Sequence, residues 1–302
     1  MVHNTIAAVI LTKNEEKHIA RCIGSLKNVC DEVIVVDSFS SDKTCDIAKS
    51  FNARVYKNAW KNYASQFNFA IHKCPIESEW IWRIDADEYL EGNIGSAVKE
   101  AVKKCDSDVN GIYLRKRIDF MGKPLKHGGW YPTYHLKVFR KGHGECENRW
   151  MDEHIRILDG KTITVDEGNQ VDANLNGLTW WTDKHNHYAT REMIDMLMTE
   201  FELDAKGQEV IPMFFGTEEQ RKRWLKMKYV KAPLFVRPFA NFFYRYIIRG
   251  GFLDGKEGFI WHILQGFWYR MLVDAKIFEI KKKFNSNPEA IKEFLKDYLA
   301  CS

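Results

Sequence analysis

Over the first hundred residues, short and mostly apolar runs alternate with stretches of helical period. Ile6–Leu11 is a continuous apolar run of the kind that a strand buried on both faces requires, and Val33–Val36 is a second. Ala53–Tyr56 and Trp80–Ile84, each broken by one arginine, read as a third and fourth strand. Between them, Ile19, Cys22, Ile23 and Leu26 fall on one helical face, as do Ile47, Ala48 and Phe51. Behind the fourth run, Ile94, Ala97, Val98, Ala101, Val102 and Cys105 trace an amphipathic helix. Asn14-Glu15-Glu16 reads as the cap and acidic first turn of the first helix, and Ser41 or Asp42 as the cap of the second. This alternation predicts βα units with right-handed crossovers, an α/β fold with a mostly parallel, doubly wound sheet. Residues 106–180 read as short strands and loops, 183–206 and 218–231 as helices, and 281–302 as a helical tail. The composition suggests a catalytic domain over 1–215 and a helical region over 216–302.

Composition narrows the function classes. Of 302 residues, 45% are hydrophobic and 28% charged, enough for a sizeable core. Lysine and arginine exceed aspartate and glutamate by only four, too little to argue for a nucleic-acid partner. The seven cysteines are scattered and form no CxxC, which suggests reduced thiols rather than a disulfide frame or a zinc site. The start of the chain reads without a signal peptide, since Lys13, Glu15 and Glu16 follow the first apolar run closely. No window approaches the roughly 20 apolar residues of a membrane span.

In a doubly wound sheet, ligands bind beyond the carboxyl ends of the strands. Three polar clusters occupy such ends: Thr12-Lys13-Asn14-Glu15, the segment from Asp37 through Ser40 to Asp42, and Asp85-Ala86-Asp87-Glu88. Two carboxylates separated by one residue at a strand exit suit a hard divalent cation, Mg²⁺ or Mn²⁺, which neutralises a diphosphate. An acidic surface turn would present the same residues. Asp37 is placed to accept the imide N–H of a uracil, with Ser40 and nearby amides serving ribose or phosphate; an Asx turn is the bland alternative. No Gly-x-Gly-x-x-Gly follows the first strand, which argues against a dinucleotide dehydrogenase. Gly250 to Gly255-Lys256 has P-loop spacing, but Glu257 stands where a hydroxyl is needed and no buried strand leads in. Asp152-Glu153-His154 offers a general base for an acceptor hydroxyl, or a surface charge pair. His185 and His187 cannot share one face of a helix, so at most one of them touches a ligand.

Taken together, these residues resemble family 2 glycosyltransferases of the GT-A fold. Thr12-Lys13-Asn14-Glu15 is similar to that family's first nucleotide-contacting turn, the Asp37 to Asp42 segment to its second, and Asp85-Ala86-Asp87 to its metal-binding D-x-D. Gln66-Phe67-Asn68 occupies the segment where many members carry Arg-Asn. His127-Gly128-Gly129-Trp130-Tyr131-Pro132, Lys137-Val138-Phe139-Arg140, Met151-Asp152-Glu153-His154 and Lys184-His185-Asn186 resemble a bacterial subgroup that includes lipopolysaccharide-core glucosyltransferases. The resemblance implies an inverting transfer from a nucleotide-diphospho-sugar, by family habit a UDP-sugar, to a lipid-linked or lipopolysaccharide acceptor. It implies donor contacts at Thr12, Asn14, Glu15, Asp37, Ser40, Asn68 and Asp85. Asp87, Asp85 and His185 would hold the metal, and Glu153, with Asp152 as its competitor, would be the catalytic base. Phe67 and Phe39 depart from the frequent Arg and Gly of the pattern. A non-catalytic nucleotide- or glycan-binding module and a sugar nucleotidyltransferase are the competing classes. The latter would want a glycine-rich, basic loop after the first strand.

From Pro233 to Ile280, aromatic residues are interleaved with Arg237, Arg245, Arg249 and Arg270. That composition suits a membrane interface and a place on the inner face of the cytoplasmic membrane. Core packing between C-terminal helices, or contact between copies of the chain, would use the same residues.

Overall fold

The structure, a computed structural model, describes residues 4–147, 154–201, 203, 215, 224 and 228–301. The chain divides into two compact units, Met1–Leu175 and Asn176–Ser302. Residue 215, where composition changes, falls inside the second unit, because the helix that opens this unit builds its core with helices near the C-terminus.

In the first unit, β1 (Ile6–Thr12), β2 (Glu32–Asp37), β3 (Arg54–Lys57) and β4 (Trp80–Asp85) occupy the four apolar runs. They are joined through α1 (Ile19–Ser25), α2 (Thr44–Ser50) and α3 (Tyr63–Lys73). All three pairings among these strands are parallel, in the spatial order β3-β2-β1-β4. The central strands are largely apolar because each of their faces has its own cover, whereas β3, at the sheet edge, carries Arg54 and Lys57. Ile6, Ala8 and Ile10 pack with Trp80, Trp82, Ile84 and the inner face of α4 (Ile94–Lys104). Ala7 and Val9 pack on the other face with Ile34, Val36, Ile81 and with Ala64 and Phe67 of α3. α3 starts at a capping box, in which Asn62 accepts from the Ser65 amide and Ser65 accepts from the Asn62 amide.

Beyond β4 the sheet becomes mixed. It continues through β8 (Thr133–Arg140), β6 (Val109–Phe120), β11 (Lys161–Asp172) and β5 (Glu88–Glu91), and of these pairings only β6 with β11 is parallel. β6 and β8 are joined through a short hairpin segment, whereas β4 with β8 and β5 with β11 pair across long stretches of chain. β6 and β11 run twelve residues each, longer than the short strands expected there. A small hairpin, β7 (Lys123–Pro124) on β6, and a separate pair, β9 (Gly144–Cys146) with β10 (Ile155–Ile157), complete the unit.

The second unit is helical. α5 (Leu178–Glu200) buries Ala189, Met193, Ile194 and Leu197 against Val273 and Ile277 of α8 (Tyr269–Lys283) and Ile291 and Leu295 of α9 (Pro288–Cys301). Between lie α6 (Val236–Phe242), a π-helical stretch Phe243–Ile248, a 3₁₀ turn Gly251–Asp254, α7 (Gly255–Trp261) and a second π-helical stretch His262–Trp268. Arg237 and Asp274 form a buried ion pair, with the Asp274 carboxylate also accepting from the Phe235 amide at 2.7 Å. Gly251 is required by packing, because a Cβ there would lie 2.2 Å from His262 Nε2.

Candidate active site

The sheet register brings the polar clusters together. Thr12 is paired with Asp37 on one side of β1, and Leu11 with Asp85 on the other. Asp37 and Asp85 thus flank the end of the same strand, two strand spacings or about 10 Å apart. Asp87 lies two residues past Asp85.

Asp37 is fully buried and satisfied. Its Oδ1 accepts from the Thr12 hydroxyl at 2.9 Å and the Ser40 hydroxyl at 2.5 Å, and its Oδ2 from the Ser40 amide at 2.8 Å. Burial alone would raise this carboxyl, but the donors from Ser40 and Thr12 hold it below its ordinary value. The loops after β1 and β2 are interlocked. The Asn14 amide donates to Ser40 Oγ at 2.8 Å, Asn14 Oδ1 accepts from the Ser41 amide at 2.9 Å, and Lys13 Nζ donates to the carbonyls of Ser38 and Phe39. Asn14 and Phe39 both take positive φ, 55° and 60°. Asn14 therefore closes a turn instead of capping a helix; α1 begins at Ile19. Asp42 makes the expected Asx turn with Thr44, whose hydroxyl accepts from the Glu15 amide.

At the β4 exit, Asp85 Oδ1 accepts from the Tyr63 hydroxyl at 2.5 Å, and Oδ2 stands 3.6 Å from Lys137 Nζ. Burial opposes the charge, but Lys137 first and Arg83 second outweigh it and hold Asp85 well below the usual carboxylate range. Arg83 Nε donates to the same Tyr63 oxygen at 2.8 Å. Beneath this group lies Glu88, fully buried, which accepts from Lys137 at 3.0 Å, from Gln170, and from the Asp85 amide at 2.9 Å. Lys116 bridges Glu88, at 3.5 Å, and Asp172, at 2.9 Å. Asp87 Oδ2 accepts from Asn174 Nδ2 at 2.9 Å, and the Asp87 carbonyl accepts from Arg21 at 2.9 Å.

The donor set fits a hard divalent cation. Two carboxylates, Asp85 and Asp87, sit at one strand exit, and a carboxylate has about four lone-pair sites, so bonds from Tyr63 or Asn174 do not exclude a metal. Among the described residues, no three His, Cys, Asp or Glu side chains form a complete cage.

Other expected contacts have different partners. Glu15 binds His18 Nδ1 at 2.6 Å, and His18 Nε2 accepts from the Leu175 amide at 2.8 Å, which places the proton on Nδ1. Asn68 is engaged on both sides of its amide by the Cys146 backbone, at 3.0 Å each, tying α3 to β9. Its neighbour Gln66 is buried between Ser38 and Asn58. His185 belongs to the second unit, where its ring stacks on Trp181 at 3.5 Å and its Nδ1 donates to the Trp181 carbonyl. Burial, which outweighs that bond, pushes it down to about 4, so the ring is neutral at neutral pH. Asp152 and Glu153, the expected bases, lie outside the described residues.

Sequence reasoning missed Tyr63 and Arg83, and it named Glu88 and Lys137 within motifs but gave them no role. Glu88 directly follows the D-x-D and was its most accessible signal. Lys137 comes from β8, whose antiparallel place beside β4 no local pattern reveals.

Residues 7–153 match the glycosyl transferase family 2 model. A glycosyltransferase of Rickettsia typhi is 27% identical over 283 residues, covering 92% of this chain and 88% of its own length. The lipopolysaccharide core biosynthesis glycosyltransferase LpsC of Rhizobium meliloti is 26% identical over 280 residues, covering 91% and 92%. Among solved structures, glucosyl-3-phosphoglycerate synthase from Mycobacterium tuberculosis aligns with a TM-score of 0.32 and 23% identity, over 37% of this chain and 44% of its own. The chain thus spans less than half of that structure.

Proposed function

Proceeding from a chain that is a glycosyltransferase, with a family 2 domain over residues 7–153 and a GT-A-like mixed sheet, we propose that it transfers a sugar from a UDP-sugar to a hydroxyl of a lipid-linked or lipopolysaccharide glycan. The observation that carries this reading is the pairing of Asp37 and Asp85 on either side of β1, both held ionised at one sheet edge. The Thr12, Asn14 and Ser40 turn lies against the nucleoside, and Asp37, buried behind it, holds that turn through Thr12 and Ser40. Asp85 faces the ribose, and with Asp87 holds Mg²⁺ or Mn²⁺. When bound, that ion neutralises charge on the departing diphosphate. Tyr63 and Lys137 fix the Asp85 carboxylate, so it does not reorganise as charge develops. Glu153, or its neighbour Asp152, deprotonates the acceptor hydroxyl. That hydroxyl attacks the anomeric carbon opposite the diphosphate and inverts it. The relative LpsC, aligned over nine-tenths of both chains, supports the lipopolysaccharide class of acceptor.

The test is a thermal-shift panel of sugar nucleotides with Mn²⁺ or Mg²⁺. A ligand that binds only the native state at a hundred times its Kd stabilises it by about 2.7 kcal/mol. The expected result is stabilisation by UDP-sugars with metal, with loss of that shift and of sugar transfer in Asp87→Ala. Undiminished transfer in EDTA and in Asp87→Ala would defeat the metal role.

A further inference from the structure

No helix among the described residues is long and apolar enough to cross a membrane. The helical hairpin formed by α6, the π-helical stretch and the following 3₁₀ turn nevertheless exposes large apolar side chains on one side. Phe243 is 56% exposed, Ile248 63% and Leu253 60%, with Ile247 and Phe252 beside them. The hairpin's inner side is already used: Phe242 and Tyr246 pack on Phe267, Phe259 and His262. Val236, Phe239, Phe243 and Ile247 recur at helical spacing, so the exposed residues form a stripe running to the turn.

Charge separates the occupants such a stripe could have. From Lys231 to Leu253 there are four basic residues and no acidic one. Arg237 is neutralised internally by Asp274, and Asp254, just past the turn, is buried. Arg249 and Lys256 are exposed at the apolar turn, and the half-buried Glu257 follows Lys256. A second copy docked through this patch about a twofold axis would press one cationic patch against an identical one. An anionic lipid surface offers headgroup phosphates to the cations and acyl chains to the apolar side chains.

We propose that this hairpin, led by Ile247, Ile248, Phe252 and Leu253 and flanked by Arg249 and Lys256, docks the protein on an anionic bilayer. The inference deepens the reading of a lipid-borne acceptor, but its test needs no turnover. Full-length protein is sedimented with phosphatidylglycerol-containing vesicles and with pure phosphatidylcholine vesicles, beside light scattering for oligomeric state. Wild type binds the anionic vesicles, less so as salt rises. Ile248→Asp with Leu253→Asp lowers the partition coefficient by about tenfold or more. Arg249→Glu with Lys256→Glu lowers it on anionic vesicles alone. Both variants change exposed side chains and keep the wild-type nucleotide thermal shift, so failure of docking and failure of the transferase reading appear in different measurements. Wild type that ignores vesicles, unchanged binding by the apolar variant, or a variant that only splits a dimer would each overturn the proposal.

Discussion

Lys137 Nζ stands 3.0 Å from Glu88 Oε2 and 3.6 Å from Asp85 Oδ2, so one ammonium on β8 serves two carboxylates of the Asp85 to Glu88 turn. Glu88 is fully buried and Lys137 nearly so. Breaking such a pair from one side leaves an uncompensated charge, which costs about 3–5 kcal/mol. Lys137→Met should therefore destabilise the first unit by that order in chemical denaturation. Adding Glu88→Gln should restore part of the loss, and strictly additive effects would refute the coupling.

Tyr63→Phe removes the hydroxyl that donates to Asp85 and accepts from Arg83. A hydrogen bond to a charged group contributes about 1.5–3 kcal/mol. The variant should weaken metal-dependent nucleotide binding about tenfold while leaving the fold intact. Asp85 should also titrate nearer its ordinary value, seen as a loss of binding that sets in at higher pH.

The acidic pair outside the described residues is separated by chemistry. Glu153→Gln should keep donor binding but lose transfer by about 10²–10⁴-fold, the usual contribution of a positioned base. If Asp152→Asn shows that pattern and Glu153→Gln does not, the base is Asp152.

In the second unit, His262 is fully buried, and neither ring nitrogen has a hydrogen-bond partner among the described residues. Burial and then Arg245 push it down to about 4; His185 is likewise pushed to about 4 by burial. Between pH 4 and about 6.5 the unfolded chain binds protons that the folded unit does not, so stability is full above that window and falls as pH drops through it. Melting temperature should decline over this range, and His262→Leu should flatten part of the slope. Asp37 and Asp85 have folded values below ordinary, so their contribution is complete above about pH 4 and is lost only in stronger acid.

The first four strands were legible because a strand covered on both faces must be apolar at every position, and Ile6–Thr12 and Trp80–Asp85 are nearly so. β6 and β11 were not. Their outer halves carry Arg115, Lys116 and Arg117 on one strand and Asp166 and Asp172 on the other, which read as loops until paired. Asn14 has the chemistry of a helix cap, but its hydrogen bonds go to the neighbouring loop, a long-range choice that local propensity does not contain. Asn68 was expected to face the donor and instead holds the Cys146 backbone. Asp37, Asp85 and Asp87 were legible because strand ends in such sheets have a fixed geometric meaning. Their supporting residues, Tyr63 and Lys137, come from elements whose placement only the folded chain reveals.

The stitching of Asn14 and Lys13 to the Ser38–Ser41 loop has a thermodynamic corollary. Because these two loops already brace one another, the nucleoside of the proposed donor would meet a finished wall and freeze few backbone torsions. Little of the contact energy is then consumed in ordering the receptor, and nucleoside fragments smaller than the whole donor should retain measurable affinity.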